Sequence, residues 1–213
     1  MLFHRQSQEK SPKGRFFDKV KYMKKEIHHF RNFSFFLKTD KELSKREKCQ
    51  MHDLLIKMYP PFKTLFDKHG YYSTVKPQME FLIKDGDKLI GTGKLLWRNV
   101  KIKGGIVKLF AFGMVVDKPY QKQGIGTELI RLNKKEVKKR KADLLYGSTR
   151  NQKVERMLEK ARFEKLKVLV MYKDTITKKI KKERSSAYVF EFKKGLVDEL
   201  NKLEHFYIGI GPI

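Results

Sequence analysis

Apolar and polar positions alternate in short blocks along the chain, and the period of each block predicts its element. Residues 32–38 carry four apolar or aromatic side chains and predict a strand. Thr39 and Glu42 then stand at capping-box spacing ahead of a helical stripe, Leu43, Met51, Leu54, Leu55 and Met58, which Tyr59-Pro60-Pro61 ends. Residues 62–77 read as a short helix and an aromatic loop. Two strand-like runs, 79–84 and 88–97, flank Asp85-Gly86-Asp87, a strong hairpin signal. A second turn at Lys103-Gly104-Gly105 leads into a third run, 106–116. Gly113 inside that run predicts a bulge or a close approach by another group.

After a polar connection with glycines at 124 and 126, Ile125, Leu129, Ile130, Leu132 and Val137 share one helix face. A strand over 143–147 and a helix from Ser148-Thr149-Arg150-Asn151 to Lys160 follow. Runs at 164–172 and 187–192 read as a long final hairpin across the charged linker 174–186, and 195–205 as a short helix. Residues 1–30 carry eight Lys or Arg against three acidic residues. They read as a basic extension, helical from about Phe16 to Phe30, that packs through Phe16, Phe17, Tyr22 and Phe30 or contacts an acidic partner. The expected organisation is this extension followed by one domain over 31–213, with 194–213 as its tail.

Composition narrows the function classes. Hydrophobic residues make up 40% of 213 positions, with 16 Phe and 9 Tyr, which suits a folded core. The longest apolar run, 109–116, is far below the roughly 18 residues needed to span a bilayer. The single Cys49 allows no internal disulfide, and the six His lack metal-motif spacing. Cys49 and His52 fall within the first helix and read as packing or surface residues. The default is a cytoplasmic, metal-free protein without membrane attachment, and a homodimer is compatible with it. The net charge of +26 has two readings, an acidic partner such as RNA, or lysine-rich composition that gives only non-specific binding.

Strand 106–116, its connection and the next helix form a strand–loop–helix unit, whose free N–H groups at the positive end of a helix dipole suit an anion. Thr127 and Glu128 follow Gly126, so the lysine and hydroxyl of a nucleotide-triphosphate loop are missing. Leu129 stands where a dinucleotide fingerprint needs its third glycine, and Asp143 opens the next strand where that fingerprint needs an acid at a strand end.

What remains, Gln121-x-x-Gly124-x-Gly126 after a strand ending in Val-Asp, resembles the Q/R-x-x-G-x-G/A signature of the GNAT (Gcn5-related N-acetyltransferase) superfamily. The element order across 32–193 is similar to that family's fold, an α/β (mixed α+β) architecture with a mostly antiparallel central sheet flanked by helices. Asn151, Met157, Glu159, Lys160 and Phe163 fall in step with a second family segment, while Val154, Leu158 and Arg162 depart from it. Leu158 replaces the tyrosine that often protonates the leaving coenzyme A thiolate.

The resemblance implies an acetyl-CoA-dependent N-acetyltransferase acting on a primary amine of a small molecule or a protein. It implies that the backbone of Met114, Val115 and Val116 pairs with the pantetheine arm, with the Met114 N–H as oxyanion donor. The amides of Lys122, Gln123, Gly124, Ile125, Gly126 and Thr127 would hold the pyrophosphate, aided by the Gln121 and Thr127 side chains, with Asn151 at the same site. No general base is named, because 108–116 carries no acid. Glu80 is a candidate, though a surface carboxylate is the expectation for it. The alternative is a non-catalytic protein of the same fold that docks RNA or the ribosome through its basic surface.

Overall fold

The computed structural model describes residues 26–70 and 75–211. Its centre is the meander that the alternating blocks predict: β3 (Met79–Asp85), β4 (Lys88–Ile102) and β5 (Gly105–Val116) pair antiparallel in sequence order. The β3–β4 turn places Gly86 at φ +55°, a conformation that costs glycine nothing. β2 (Phe33–Lys38) extends the sheet beside β3, and β1 (Glu26–Phe30) pairs with β2. The helix expected to reach Phe30 is therefore strand over 26–30, because those residues complete a hairpin through Arg31 at φ +57°. The rest of that expected helix lies outside the described residues.

On the other side of β5 the chain runs parallel instead. Helix α3 (Ile125–Lys139) crosses one face and delivers β6 (Leu144–Thr149) parallel to β5. Helix α4 (Gln152–Lys160) then leads to the two-residue β7 (Glu164–Lys165). β10 (Ser186–Glu191) inserts between β6 and β7, which completes an eight-stranded sheet of order β1-β2-β3-β4-β5-β6-β10-β7.

The long final hairpin expected from 164–172 and 187–192 is split. From the first of those runs only Glu164 and Lys165 pair with β10, whereas β8 (Leu169–Lys173) turns away to a second sheet. There it lies between β9 (Ile180–Lys182) and β11 (His205–Ile210), the latter parallel to it and reached through α5 (Leu196–Asn201). Burial drives the split. Val170, Phe206 and Ile208 join Leu196, Val197 and Leu200 of α5 in one apolar cluster with Leu96, Val100, Leu109 and Ala111 of the main sheet.

Helix α1 (Lys45–Met58) starts later than the Thr39–Glu42 spacing predicts. Glu42 does accept from the Thr39 amide at 2.7 Å, but the pair closes a turn. The cap is Ser44, which accepts from the Glu47 amide at 3.2 Å while the Glu47 carboxylate accepts from the Ser44 amide at 3.0 Å. That carboxylate also receives Lys38 and Lys84, each at 2.8 Å, and so ties the start of α1 to β2 and β3.

Helices α1 and α2 (Lys63–His69) cover one face of the meander through Met51, Leu54, Leu55 and Phe66 against Leu82, Leu89 and Val115. Helices α3 and α4 cover the other through Leu129, Ile130 and Leu158. β5 thus has both faces buried, which explains its nearly continuous apolar run.

Candidate functional site

Strands β5 and β6 part company within the sheet. Their parallel register runs only from Leu109↔Leu144 to Ala111↔Tyr146, yet β5 continues to Val116 and β6 to Thr149. Beyond Ala111 the flank of β5 facing β6 has no strand beside it among the described residues. A cavity of about 790 Å³ fills the gap, with Phe112 and Met114 on one side, Gly147, Ser148 and Thr149 on the other, and Asn151, Val154 and Leu158 of the α4 segment among its walls.

Backbone polarity on that flank follows from strand alternation. The carbonyls of Gly113 and Val115 turn toward Gly93 and Gly91 on β4, and the Asp117 amide donates to the Ile90 carbonyl. On the opposite flank the Lys108 carbonyl accepts from the Asp143 amide, and the Val116 carbonyl accepts from Gln121 Nε2 at 2.9 Å. Even-numbered residues of β5 therefore turn their N–H and C=O groups toward β6. Met114 presents its N–H to the cavity, while the Val115 carbonyl is used toward β4. Gln121 fastens the end of the strand with its side chain.

The connection that follows is built from constrained pieces. Asp117, 4% exposed, takes the Lys57 ammonium of α1 at 2.7 Å, which fixes where β5 ends. A 3₁₀ turn, Lys118–Tyr120, leads to Lys122 at φ +63° and Gly124 at φ +84°, both left-handed. Gly124 is the N-cap of α3 and has no side-chain cap, and the first intrahelical bond is Glu128 N–H to the Gly124 carbonyl. The amides of Ile125, Gly126 and Thr127 thus belong to the first turn, whose N–H groups have no intrahelical acceptor. A Cβ on Gly126 would stand 3.3 Å from Met157 Sδ, and one on Gly124 would stand 3.3 Å from Phe30 Cζ. Asn151 caps α4 by accepting from the Lys153 amide at 2.9 Å, at the rim of the same cavity.

Glu80 requires a correction. It is not a surface carboxylate: it is 6% exposed and sits at the junction of two further cavities on the α1 face. Lys94 stands opposite it in the β3–β4 register. Burial pushes the Glu80 carboxyl up to about 8 against the pull of Lys94. Burial pushes the Lys94 ammonium down to about 8, with Glu80 opposing and Arg98 reinforcing the shift. Gly113 is not at a bulge, since the β4–β5 register runs unbroken through Lys94↔Gly113. It is a close approach: a Cβ there would meet Lys94 Cε at 2.8 Å.

Leu158, at the tyrosine's place in the resembled segment, is 2% exposed and packs with Phe112, Phe163 and Tyr188. Among the described residues, the phenols that line the large cavity are Tyr59 and Tyr172. Sequence reasoning missed Lys94, Tyr59 and Tyr172. The signal for Lys94 was a charge amid Leu89 to Leu96, a stretch buried on both faces. Cys49 is exposed, and His52 bonds Asp67 at 2.9 Å, in keeping with the packing or surface roles expected of them.

A mostly antiparallel sheet splayed between two parallel strands, with helices on both faces, defines a mixed α/β class of fold. The acetyltransferase (GNAT) family model matches residues 48–163, from α1 through the end of α4 and the turn after it. The chain belongs to the GNAT acetyltransferase family. Among solved structures, it is similar to a point mutant of the AtaT toxin bound to the C-terminus of the antitoxin AtaR and acetyl-CoA, with 15% identity, TM-score 0.51, and 81% of this chain and 100% of that one covered. It is also similar to the ribosomal-protein-S5-alanine acetyltransferase of Vibrio fischeri, with 13% identity, TM-score 0.51, and 78% and 97% covered. At these identities the likeness shows the fold. No curated protein matches the chain.

Proposed function

We propose that the protein transfers an acetyl group from acetyl-CoA to a primary amine. The observation that carries this reading is the unpaired flank of β5 at Met114 beside the first turn of α3, where the Gly126 Cβ position lies 4.0 Å from Met114 Sδ. An extended arm lying along Met114 finds backbone partners there, and a diphosphate at its end reaches the amides of 122–127. The acetyl-CoA-bound toxin of the same fold supports the choice of donor.

The reaction needs an oxyanion donor, a base and a path for the acceptor, and the residues present can supply them. The Met114 N–H faces the place of the thioester carbonyl, where a fixed donor stabilises the developing oxyanion. The acceptor amine must lose a proton, since an alkylamine is mostly ammonium at neutral pH. Glu80 is a buried carboxylate that lines both cavities under α1, and we assign it as general base. An acceptor reaches it through the cavity of about 350 Å³ lined by Asp40, Lys48, His69 and Lys76, under α1 and α2. A buried acid–amine pair at the joint of donor and acceptor cavities favours catalysis over a purely docking role. The acceptor is an amine of a small molecule or a protein, and the S5-alanine acetyltransferase illustrates the protein case on this fold.

The test is thermal unfolding with and without acetyl-CoA, followed by thiol release over a panel of amines and N-terminal peptides. Saturation at a hundred times Kd should stabilise the protein by about 2.7 kcal/mol. An unchanged melting temperature at millimolar acetyl-CoA overturns the donor assignment.

A further inference from the structure

Lys94 is rooted on β4, yet it lines the cavity between β5 and β6 as well as the one on the α1 face. To do so its side chain must cross the whole width of β5. It crosses at Gly113, where the ideal Cβ position is 2.8 Å from Lys94 Cε and 3.4 Å from Cγ. Any residue with a side chain at 113 would bar that path. The neighbouring residue is Met114, whose N–H faces the cavity. The end of the Lys94 side chain thus passes over Gly113, beside Met114, and both Lys94 and Met114 line the large cavity.

We propose that Lys94 is an internal acceptor, so that the protein acetylates its own Lys94 Nζ when acetyl-CoA is bound and no external amine is present. This rests on the acetyl-CoA reading given above. Glu80, opposite Lys94 in register, supplies the proton acceptor. The ammonium passes one proton to the Glu80 carboxylate, and the neutral amine attacks the thioester carbon. The N–C bond forms, the C–S bond breaks, and the second proton goes to the departing sulfur. The products are an amide at Lys94, a neutral Glu80 and coenzyme A thiol, with charge and atoms conserved. The lowered basicity of the buried Lys94 amine leaves a larger neutral fraction than a surface lysine has, which favours attack. Acetylation removes the cation and lengthens the side chain in the space an acceptor needs, so modified protein should turn over external amines more slowly.

The experiment incubates the full chain with acetyl-CoA alone and maps acetylated peptides over time by mass spectrometry, with acetyl-CoA binding measured in parallel by thermal shift. The expected result is one acetyl group at Lys94 at near-stoichiometric yield before other lysines are labelled. Lys94→Met, which keeps most of the side-chain length and lacks the amine, should bind acetyl-CoA and lose that fast phase. Glu80→Gln should slow labelling of Lys94 by about tenfold or more without slowing the surface lysines. Acetyl-CoA that binds while Lys94 stays unlabelled, or labels no faster than surface lysines, overturns the inference and leaves the donor assignment standing. Absence of a thermal shift overturns both.

Discussion

Glu80 and Lys94 face each other across β3 and β4, and both carry shifted ionisation, so the residue scale makes two pH predictions. As general base Glu80 must be ionised, and with its carboxyl raised to about 8 only about a tenth is ionised one unit lower. Turnover should climb nearly tenfold per pH unit below 8 and level off above it. Glu80→Gln should lower kcat by about 10²- to 10⁴-fold and abolish that limb. A flat profile through pH 7 to 9 contradicts the assignment. The second prediction concerns stability. Glu80 holds in the folded state a proton that the unfolded chain releases near 4.5, so stability falls as pH rises from 4.5 to 8. Lys94 holds fewer protons folded than unfolded between 8 and 10.5, so stability rises across that window. The pair should add a stability minimum near pH 8, visible in denaturant melts. Glu80→Gln should erase the falling arm and Lys94→Met the rising one. The burial of Glu80 was not legible in the sequence: it follows Met79 like an outward-facing position, and the packing of α1 and α2 over that face buries it.

At the scale of elements, the α3 N-terminus is the feature that local chemistry places best. Glycines at 124 and 126 and the apolar stripe announce a turn into a helix near Thr127, and the helix begins two residues earlier, at Ile125, with Gly126 inside its first turn. The β3–β4–β5 meander was legible for the same reason, since Asp85-Gly86-Asp87 fixes a turn within three residues. Partner choice was not legible. Residues 169–173 alternate as well for a hairpin with 186–191 as for a second sheet, and the apolar side chains of α5 and β11 decide between them. The start of α1 was misplaced because Thr39–Glu42 and Ser44–Glu47 share a spacing, and only the latter is joined by Lys38 and Lys84. The splay of β5 from β6 leaves no mark in either strand's pattern. Function at the helix start is tested cleanly at Gly126, because substitution at Gly124 adds backbone strain at φ +84° and a contact with Phe30. Gly126→Asp places a carboxylate in the first turn, which suits the dipole, and its Cβ meets the flexible ends of Met157 and Met114. It should leave the melting temperature within about 2 °C while weakening acetyl-CoA binding by about a hundredfold or more through repulsion of the diphosphate. Calorimetry with unchanged affinity in the folded variant contradicts a diphosphate at this loop.

Across the whole molecule the charge of +26 sets a long-range field. It should draw anionic coenzyme A and RNA alike and repel polycationic acceptors such as polyamines. Non-specific RNA binding should be largely lost by about 200 mM salt, because each neutralised phosphate releases counterions. Removing residues 1–25, which carry eight basic residues against two acidic ones, should weaken that binding and leave acetyl-CoA affinity nearly unchanged. The cut belongs before Glu26, since β1 is part of the sheet and Phe30 rests against Gly124. A tight, salt-resistant complex with one RNA in a filter-binding assay contradicts this and favours a docking role. The gap beyond Ala111 has one more consequence. A sheet's exposed margins invite pairing with other chains, but here the margin is interior, roofed by helices on one face and floored by them on the other. The gap is walled by Phe112 and Met114 of β5 and by Gly147, Ser148 and Thr149 of β6. A single extended thread with amide groups finds room there, whereas a sheet edge brings neighbouring strands that would meet the helices above and below. The architecture therefore keeps an unpaired backbone edge available to a slender ligand without offering it as a seam for aggregation.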